Sequence, residues 1–266
     1  MSQQKGYALV TGASSGIGAV YADRLARAGY DLILVARNQQ RLEQLAHKLK
    51  AGTGRDVQVL VADLTQPTDL TRVAAVLDGD KRISLLVNNA GFGATAGLLN
   101  SDANSMDAMI LVNVLGLTRL AKAAAGNFVA QGRGTIINIA SVAAITPKVL
   151  NGVYSGTKAF VLAFSEALQH ELSDKGVKVQ VVLPGITATE FWDIAGLPVS
   201  NLPDTKVMSA QHLVDAALAG LALGEVVTIP ALPDIAAWEH YDSARTALAP
   251  NLSNRNPAAR YGLKNA

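Results

Sequence analysis

The 266 residues are 50% hydrophobic and 17% charged, which suits a large buried core and not the polar, highly charged make-up of a disordered chain. The absence of cysteine excludes disulfides, thiolate nucleophiles and cysteine-ligated zinc or iron–sulfur centres. Twenty-three basic against twenty-one acidic residues leave +2, and no Lys/Arg block forms a phosphate-tracking stripe, so no nucleic-acid partner is expected.

The first residues show no signal-peptide pattern. The longest uncharged stretch, 83–101, is interrupted by asparagines and glycines, unlike a membrane span. No membrane association and a cytoplasmic location are therefore expected.

Strand and helix patterns alternate from there on. Tyr7–Thr11 reads as a short apolar strand, followed by a Gly-rich turn and a helix to about Gly29. Asp31–Ala36 is the second strand, and 39–50 a helix with Leu42, Leu45 and Leu49 at helical spacing. The third strand is 57–62, and the helix 67–77 opens with a proline in its first turn. Ile83–Asn88 is a continuous apolar run of the kind buried on both faces. Two long helices, about 102–130 and 152–175, flank the strand 135–140. A sixth strand at 177–183, a helix at Ala210–Leu223 and a last strand at 226–229 complete the pattern.

This succession of βαβ units predicts an α/β fold, a doubly wound parallel sheet with helices on both faces. One domain, 1–266, is expected. A loop at 187–209 and a tail at 231–266 stand outside the alternation.

The turn Thr11-Gly12-Ala13-Ser14-Ser15-Gly16-Ile17-Gly18 lies where the first strand meets the first helix. Glycines there let the backbone turn tightly and approach a pyrophosphate at the helix N-terminus. The spacing is neither G-x-G-x-x-G nor the loop that cradles nucleoside triphosphates. A ligand-free turn remains open on these residues alone.

NAD sites place an acid at the end of the second strand, whereas an arginine there accommodates a 2′-phosphate. The stretch reads Val35-Ala36-Arg37-Asn38, which favours NADP(H) over NAD(H) unless Arg37 is simply solvated.

Tyr154 and Lys158 are spaced i, i+4, neighbours on one helical face. A nearby ammonium would lower the phenol's pKa, and lowering it by ~3 corresponds to ~4 kcal/mol. Tyr154 could then exchange a proton with a carbonyl or alcohol oxygen, although a surface Tyr–Lys pair has the same spacing. Ser141 closes the fifth strand, where its hydroxyl could reach a substrate oxygen. Asn113 is a polar residue inside an apolar helical run and needs partners if buried.

In order and spacing, the turn Thr11–Gly18, Asn88-Asn89-Ala90-Gly91, Asn113, Ser141, Tyr154-x-x-x-Lys158 and Pro184-Gly185 resemble the single-domain short-chain dehydrogenase/reductases, NADP-preferring subgroup. The resemblance spans about residues 5 to 230. It implies a Rossmann-type sheet of about seven parallel strands and hydride transfer at an alcohol or carbonyl carbon.

It also implies roles. Tyr154 is the acid/base and Ser141 orients the carbonyl. Lys158 binds the nicotinamide ribose, beside Tyr154, and lowers the tyrosine pKa. Asn113 holds a water that continues the proton relay. Gly12, Ser14, Ser15, Gly16, Ile17 and Gly18 would hold the pyrophosphate, with Arg37 at the 2′-phosphate. Asp63 and Leu64 match the adenine contact, and Asn89, Ala90 and Gly91 line the cleft. Pro184, Gly185, Ile186 and Thr189 match the stretch that contacts nicotinamide and its phosphate.

The loop 187–209 stands in the family's substrate-lid position. Its Phe191 and Trp192, with Val142, Ile145 and Val149, suggest an apolar pocket for a hydrophobic ketone or aldehyde. The four histidines are scattered without ligand spacing, so no metal is expected. A homodimer or homotetramer is what the resemblance implies. A sensor or scaffold that binds NADP(H) without turnover is the alternative.

Overall fold

The computed structural model describes residues 5–263, apart from the side chain of Val149, so that pocket expectation lies outside the described residues. The chain divides into two compact units, Met1–Pro230 and Ala231–Ala266.

In the first unit the alternation is realised in order. β1 (Tyr7–Thr11), α1 (Gly16–Arg27), β2 (Asp31–Ala36), α2 (Gln39–Thr53), β3 (Val57–Val61) and α3 (Pro67–Gly79) lead to β4 (Ile83–Asn88). α4 (Ala103–Ile110) runs through a wider π turn, Leu111–Gly116, into α5 (Leu117–Gln131). β5 (Gly134–Ile139), α6 (Gly152–Leu172) and β6 (Val177–Val182) follow. The segment 187–209, expected to be a loop, holds a two-residue parallel pair, β7 (Thr187–Ala188) and β8 (Met208–Ser209), with the short helix α7 (Phe191–Ile194) between them. α8 (Ala210–Leu223) and β9 (Val227–Thr228) close the unit.

The seven strands form one parallel sheet in the order β3-β2-β1-β4-β5-β6-β9, a Rossmann-type arrangement. Alternate residues of each strand point to opposite faces, which divides the core in two. Ala8, Val10, Leu32, Leu34 and Val87 meet Tyr21 and Leu25 of α1 and Leu213 of α8. Leu9, Ile33, Val35 and Leu86 meet Leu70 and Val73 of α3 and Leu120, Ala124 and Phe128 of α5. The helical stretch Ala103–Gln131 is apolar and long enough to cross a membrane, and its α5 part packs Leu120, Ala121, Ala124 and Phe128 into the core.

Strand order reverses at β1 and β4, so a crevice opens beyond their carboxyl ends, where such sheets bind ligands. Every predicted site residue except Arg37, Asp63 and Leu64 lies on a segment that follows β1, β4, β5 or β6 or on the helices covering them.

The second unit carries α9 (Ile235–Thr246), capped by Asp234, whose carboxylate accepts from Ala236 N at 2.9 Å. Trp238 and Tyr241 pair on it with ring centroids 5.3 Å apart.

Phe128 is fully buried between α5 and the sheet. Phe128→Ala should destabilise the fold by about 3–5 kcal/mol, read as a lower urea midpoint at unchanged m-value.

Candidate active site

The turn after β1 is held open by side chains from the end of β4. Thr11 Oγ1 accepts from the backbone N–H of both Asn89 and Ala90, each at 3.0 Å. Asn89 Nδ2 donates to Thr11 O at 3.0 Å and Gly12 O at 3.2 Å. Asn89 therefore braces the turn, a more specific task than lining a cleft. Gly12 and Gly16 take left-handed backbone, φ +65° and +53°, and a methyl on Gly18 would sit 2.3 Å from Gly12 O.

Ser15 begins α1 without a side-chain cap, and no acid stands in the first turn. The N–H groups there are left for an anion. Thr189 comes from the far side, close enough that a Cβ on Gly16 would lie 3.2 Å from its methyl. The structure thus brings together the predicted pyrophosphate turn and the stretch after β6. Pro184 and Ile186 are pinned there through their carbonyls, to Val142 N at 3.0 Å and Met208 N at 2.9 Å, while Thr187 Oγ1 donates to Gly185 O at 3.2 Å.

Arg37 is exposed just past β2. Asp63 accepts from Thr65 N and Oγ1 at 3.0 and 2.8 Å, a local turn that orients its carboxylate, and Leu64 beside it is buried in the core.

The predicted catalytic group converges on the start of α6. Asn151 caps that helix, its Oδ1 accepting from Val153 N and Tyr154 N at 2.8 and 3.2 Å. Its Nδ2 donates to Ala96 O and Ser101 Oγ, which ties the helix start to the loop after β4. Tyr154 and Lys158 are both buried one turn apart, with Nζ 5.8 Å from the tyrosine ring centre. Lys158 Nζ donates to Ile139 O at 2.9 Å, which leaves two N–H donors of the ammonium for a bound ribose.

Burial pushes the Tyr154 phenol up to about 12, and the hydroxyl of Ser141 pulls it back in part. Burial also pushes the Lys158 ammonium down to about 8. Among the protein's own groups, desolvation of the phenolate sets the direction of the Tyr154 shift. Ser141 Oγ accepts from Ala143 N at 3.1 Å, which fixes the hydroxyl at the end of β5.

Asn113 is buried inside the π turn between α4 and α5. Its Oδ1 accepts from Phe92 N at 3.2 Å, and its Nδ2 donates to Phe92 O at 2.9 Å and Thr157 Oγ1 at 3.1 Å. The side chain is spent on holding the loop after β4 against α6. Gly91 lies at the junction, where a Cβ would be 2.8 Å from Asn113 Oδ1 and 3.6 Å from Lys158 Nζ. A π turn commonly marks a functional position.

The profile of the short chain dehydrogenase family matches residues 6–195. The chain belongs to the short-chain dehydrogenase family. A short-chain dehydrogenase from Sphingobium yanoikuyae, solved in complex with NADPH, is 46% identical, covering 95% of this chain and 98% of that one at TM-score 0.92. The bulky-bulky ketone specific alcohol dehydrogenase from Comamonas testosteroni is 41% identical, covering 97% and 99% at TM-score 0.90. An uncharacterized oxidoreductase of Staphylococcus epidermidis is 34% identical over 215 residues, 80% of this chain and 90% of its own length. The protein is an NAD(P)-dependent oxidoreductase that acts on CH–OH and C=O groups.

The segment between β7 and β8 reaches the tyrosine directly. Phe191 lies with its ring centre 5.6 Å from that of Tyr154, in a cluster with Met109, Ala143, Phe92, Ala94 and Leu150. Of the residues expected in the pocket, Phe191 joins this cluster. Trp192 is instead buried as an anchor, its Nε1 donating to Thr187 O at 3.0 Å. Val142 and Ile145 are half-buried in the turn after Ser141, outside the cluster. Phe92, Ala94 and Leu150 had no periodicity to reveal them, since they lie on irregular segments. Asn151 could have been read from sequence, as an asparagine just before a helical run.

The dehydrogenase holds Lys158 at a cost to its stability. The unfolded chain keeps the ordinary 10.5 and the folded one about 8, so the penalty is full below pH 8 and fades as pH rises toward 10.5. Lys158→Met should raise the urea midpoint at neutral pH, by about 1–3 kcal/mol in stability, with the gap closing near pH ~10. An equal gap at both pH values would show that burial of the charge does not set it.

Proposed function

We propose that the protein is an NADP(H)-dependent reductase of hydrophobic ketones or aldehydes, working in reverse as an alcohol dehydrogenase, with Tyr154 as the proton donor and acceptor. The observation that carries this reading is the buried Tyr154–Lys158 turn beside Ser141, set in an apolar cluster closed by Phe191. The uncapped first turn of α1, the glycine turn and the two spare donors on Lys158 Nζ fit a dinucleotide. When bound, NADPH supplies the hydride that goes to the carbonyl carbon.

A phenol near 12 stays protonated at neutral pH, the form needed to give its proton to the carbonyl oxygen as the alcohol forms. Ser141 donates to that oxygen and holds it beside Tyr154. The phenolate left behind faces Lys158, whose charge then stabilises it. Asn113 keeps the loop after β4 in register with α6, and any relay water it serves would meet its backbone carbonyl, the side chain being committed.

The apolar cluster supports a hydrophobic substrate, and the Comamonas relative's name points to bulky ketones. The absence of an acid at the end of β2, with Arg37 in its place, supports NADP(H). Exposed Ile110, Leu111, Leu115 and Phe160 on the two long helices support self-association as a homodimer or homotetramer. We read the location as cytoplasmic. All residues in this reading lie in 1–230.

Tyr154→Phe should lower turnover of a ketone panel by about 10²–10⁴-fold while NADPH still binds. Undiminished turnover would remove Tyr154 from the mechanism. Cofactor binding by the wild type with no turnover on any carbonyl or alcohol would favour the sensor instead. Arg37→Ala should weaken NADPH by roughly tenfold and leave NADH unchanged in equilibrium titrations. A wild-type preference near one that Arg37→Ala does not move would end the NADP(H) assignment.

A further inference from the structure

One ion pair bridges the β2–α2 corner and the lid. Arg41 stands in the first turn of α2, its backbone N–H held at 3.0 Å by the capping carboxamide of Asn38. Its Nη1 meets Glu190 Oε2 at 2.7 Å, across 149 positions of sequence. Glu190 immediately precedes α7 and follows Thr189, the residue packed against Gly16. Its carboxylate is held below the usual range chiefly by Arg41, with a further contribution from the Ser15 hydroxyl of the glycine turn. A carboxylate thus sits at the rim of a turn built to receive phosphate anions.

Both partners are about half exposed, at 47% and 52% of the side chain. Such an exposed pair is worth little on its own. A phosphomonoester carries up to two charges and three acceptor oxygens, and it would outcompete a carboxylate for the same guanidinium.

We propose that Arg41 exchanges between two anions, the carboxylate of Glu190 and the 2′-phosphate of NADP(H), so that the pair is a latch on the lid that only the phosphorylated cofactor opens. The inference rests on the reading that the adenosine ribose lies at the end of β2. Arg41 is four residues past Arg37, in the first turn of the helix that follows β2. Release of Glu190 frees the residue before Phe191, whose ring packs on Tyr154. Discrimination between the two dinucleotides then extends to the part of the lid that covers the substrate.

Titration of the full chain with NADPH and NADH, for wild type, Arg41→Ala, Glu190→Gln and the double variant, tests this. Arg41→Gln repeats the measurement with more of the side chain kept. Loss of Arg41 should weaken NADPH by roughly tenfold with NADH unchanged. Glu190→Gln should tighten NADPH by roughly two- to fivefold, and this gain should vanish in the Arg41→Ala background. A Glu190→Gln effect that is absent, equal for NADH, or retained without Arg41 overturns the exchange. If Arg37→Ala weakens NADPH while the Arg41 and Glu190 variants do not, the exchange alone fails. If wild type shows no preference and Arg37→Ala is silent, the NADP(H) reading fails with it.

Discussion

The site depends on the removal of water from Tyr154 and Lys158. Both side chains are buried on one face of α6, and that burial keeps the phenol protonated while weakening the ammonium's hold on its proton. A charged lysine in this place is tolerated because Ile139 O, at the end of β5, accepts one of its protons. The interaction is possible only because β5 ends where α6 passes over it, a consequence of the parallel topology. Fold and reactivity therefore meet at one hydrogen bond between a strand end and a helix side chain.

Around that bond, irregular backbone is held by side chains that mimic backbone partners. Asn113 pairs with Phe92 through both its amide groups, as a neighbouring strand would. Asn151 does the same for the start of α6, and Thr11 with Asn89 for the glycine turn. Loops near a ligand site cannot pair in a sheet, so their buried N–H and C=O groups need such substitutes. Losing one would leave several buried groups unpaired at once, a larger penalty than one hydrogen bond.

Legibility followed locality. Ile83–Asn88 was readable to its ends, because a central parallel strand is apolar on both faces and its limits are compositional. Tyr154 and Lys158 were readable because four-residue spacing fixes a shared helical face. The π turn was not, since Leu111–Gly116 has the composition of an ordinary helix and only Asn113 breaks the pattern. β7 and β8 are two residues each and exist by pairing across the lid, which no local pattern encodes. The apolar ring of Trp192 suggests a pocket residue, but its indole N–H donates to Thr187 O, which makes it an anchor.

The apolar cluster joins substrate choice to proton chemistry. Met109, Ala143 and Phe191 would offer the proposed hydrophobic substrate a matching surface, and the same groups pack around the phenol. A more polar lining would accept a more polar substrate, but it would also solvate the phenolate and lower the pKa that keeps Tyr154 an acid. In the proposed reaction, substrate polarity and the protonation of Tyr154 would thereby be coupled through one set of side chains. Phe191 links that coupling to the proposed lid, because it stands one residue past Glu190 and packs on the tyrosine ring.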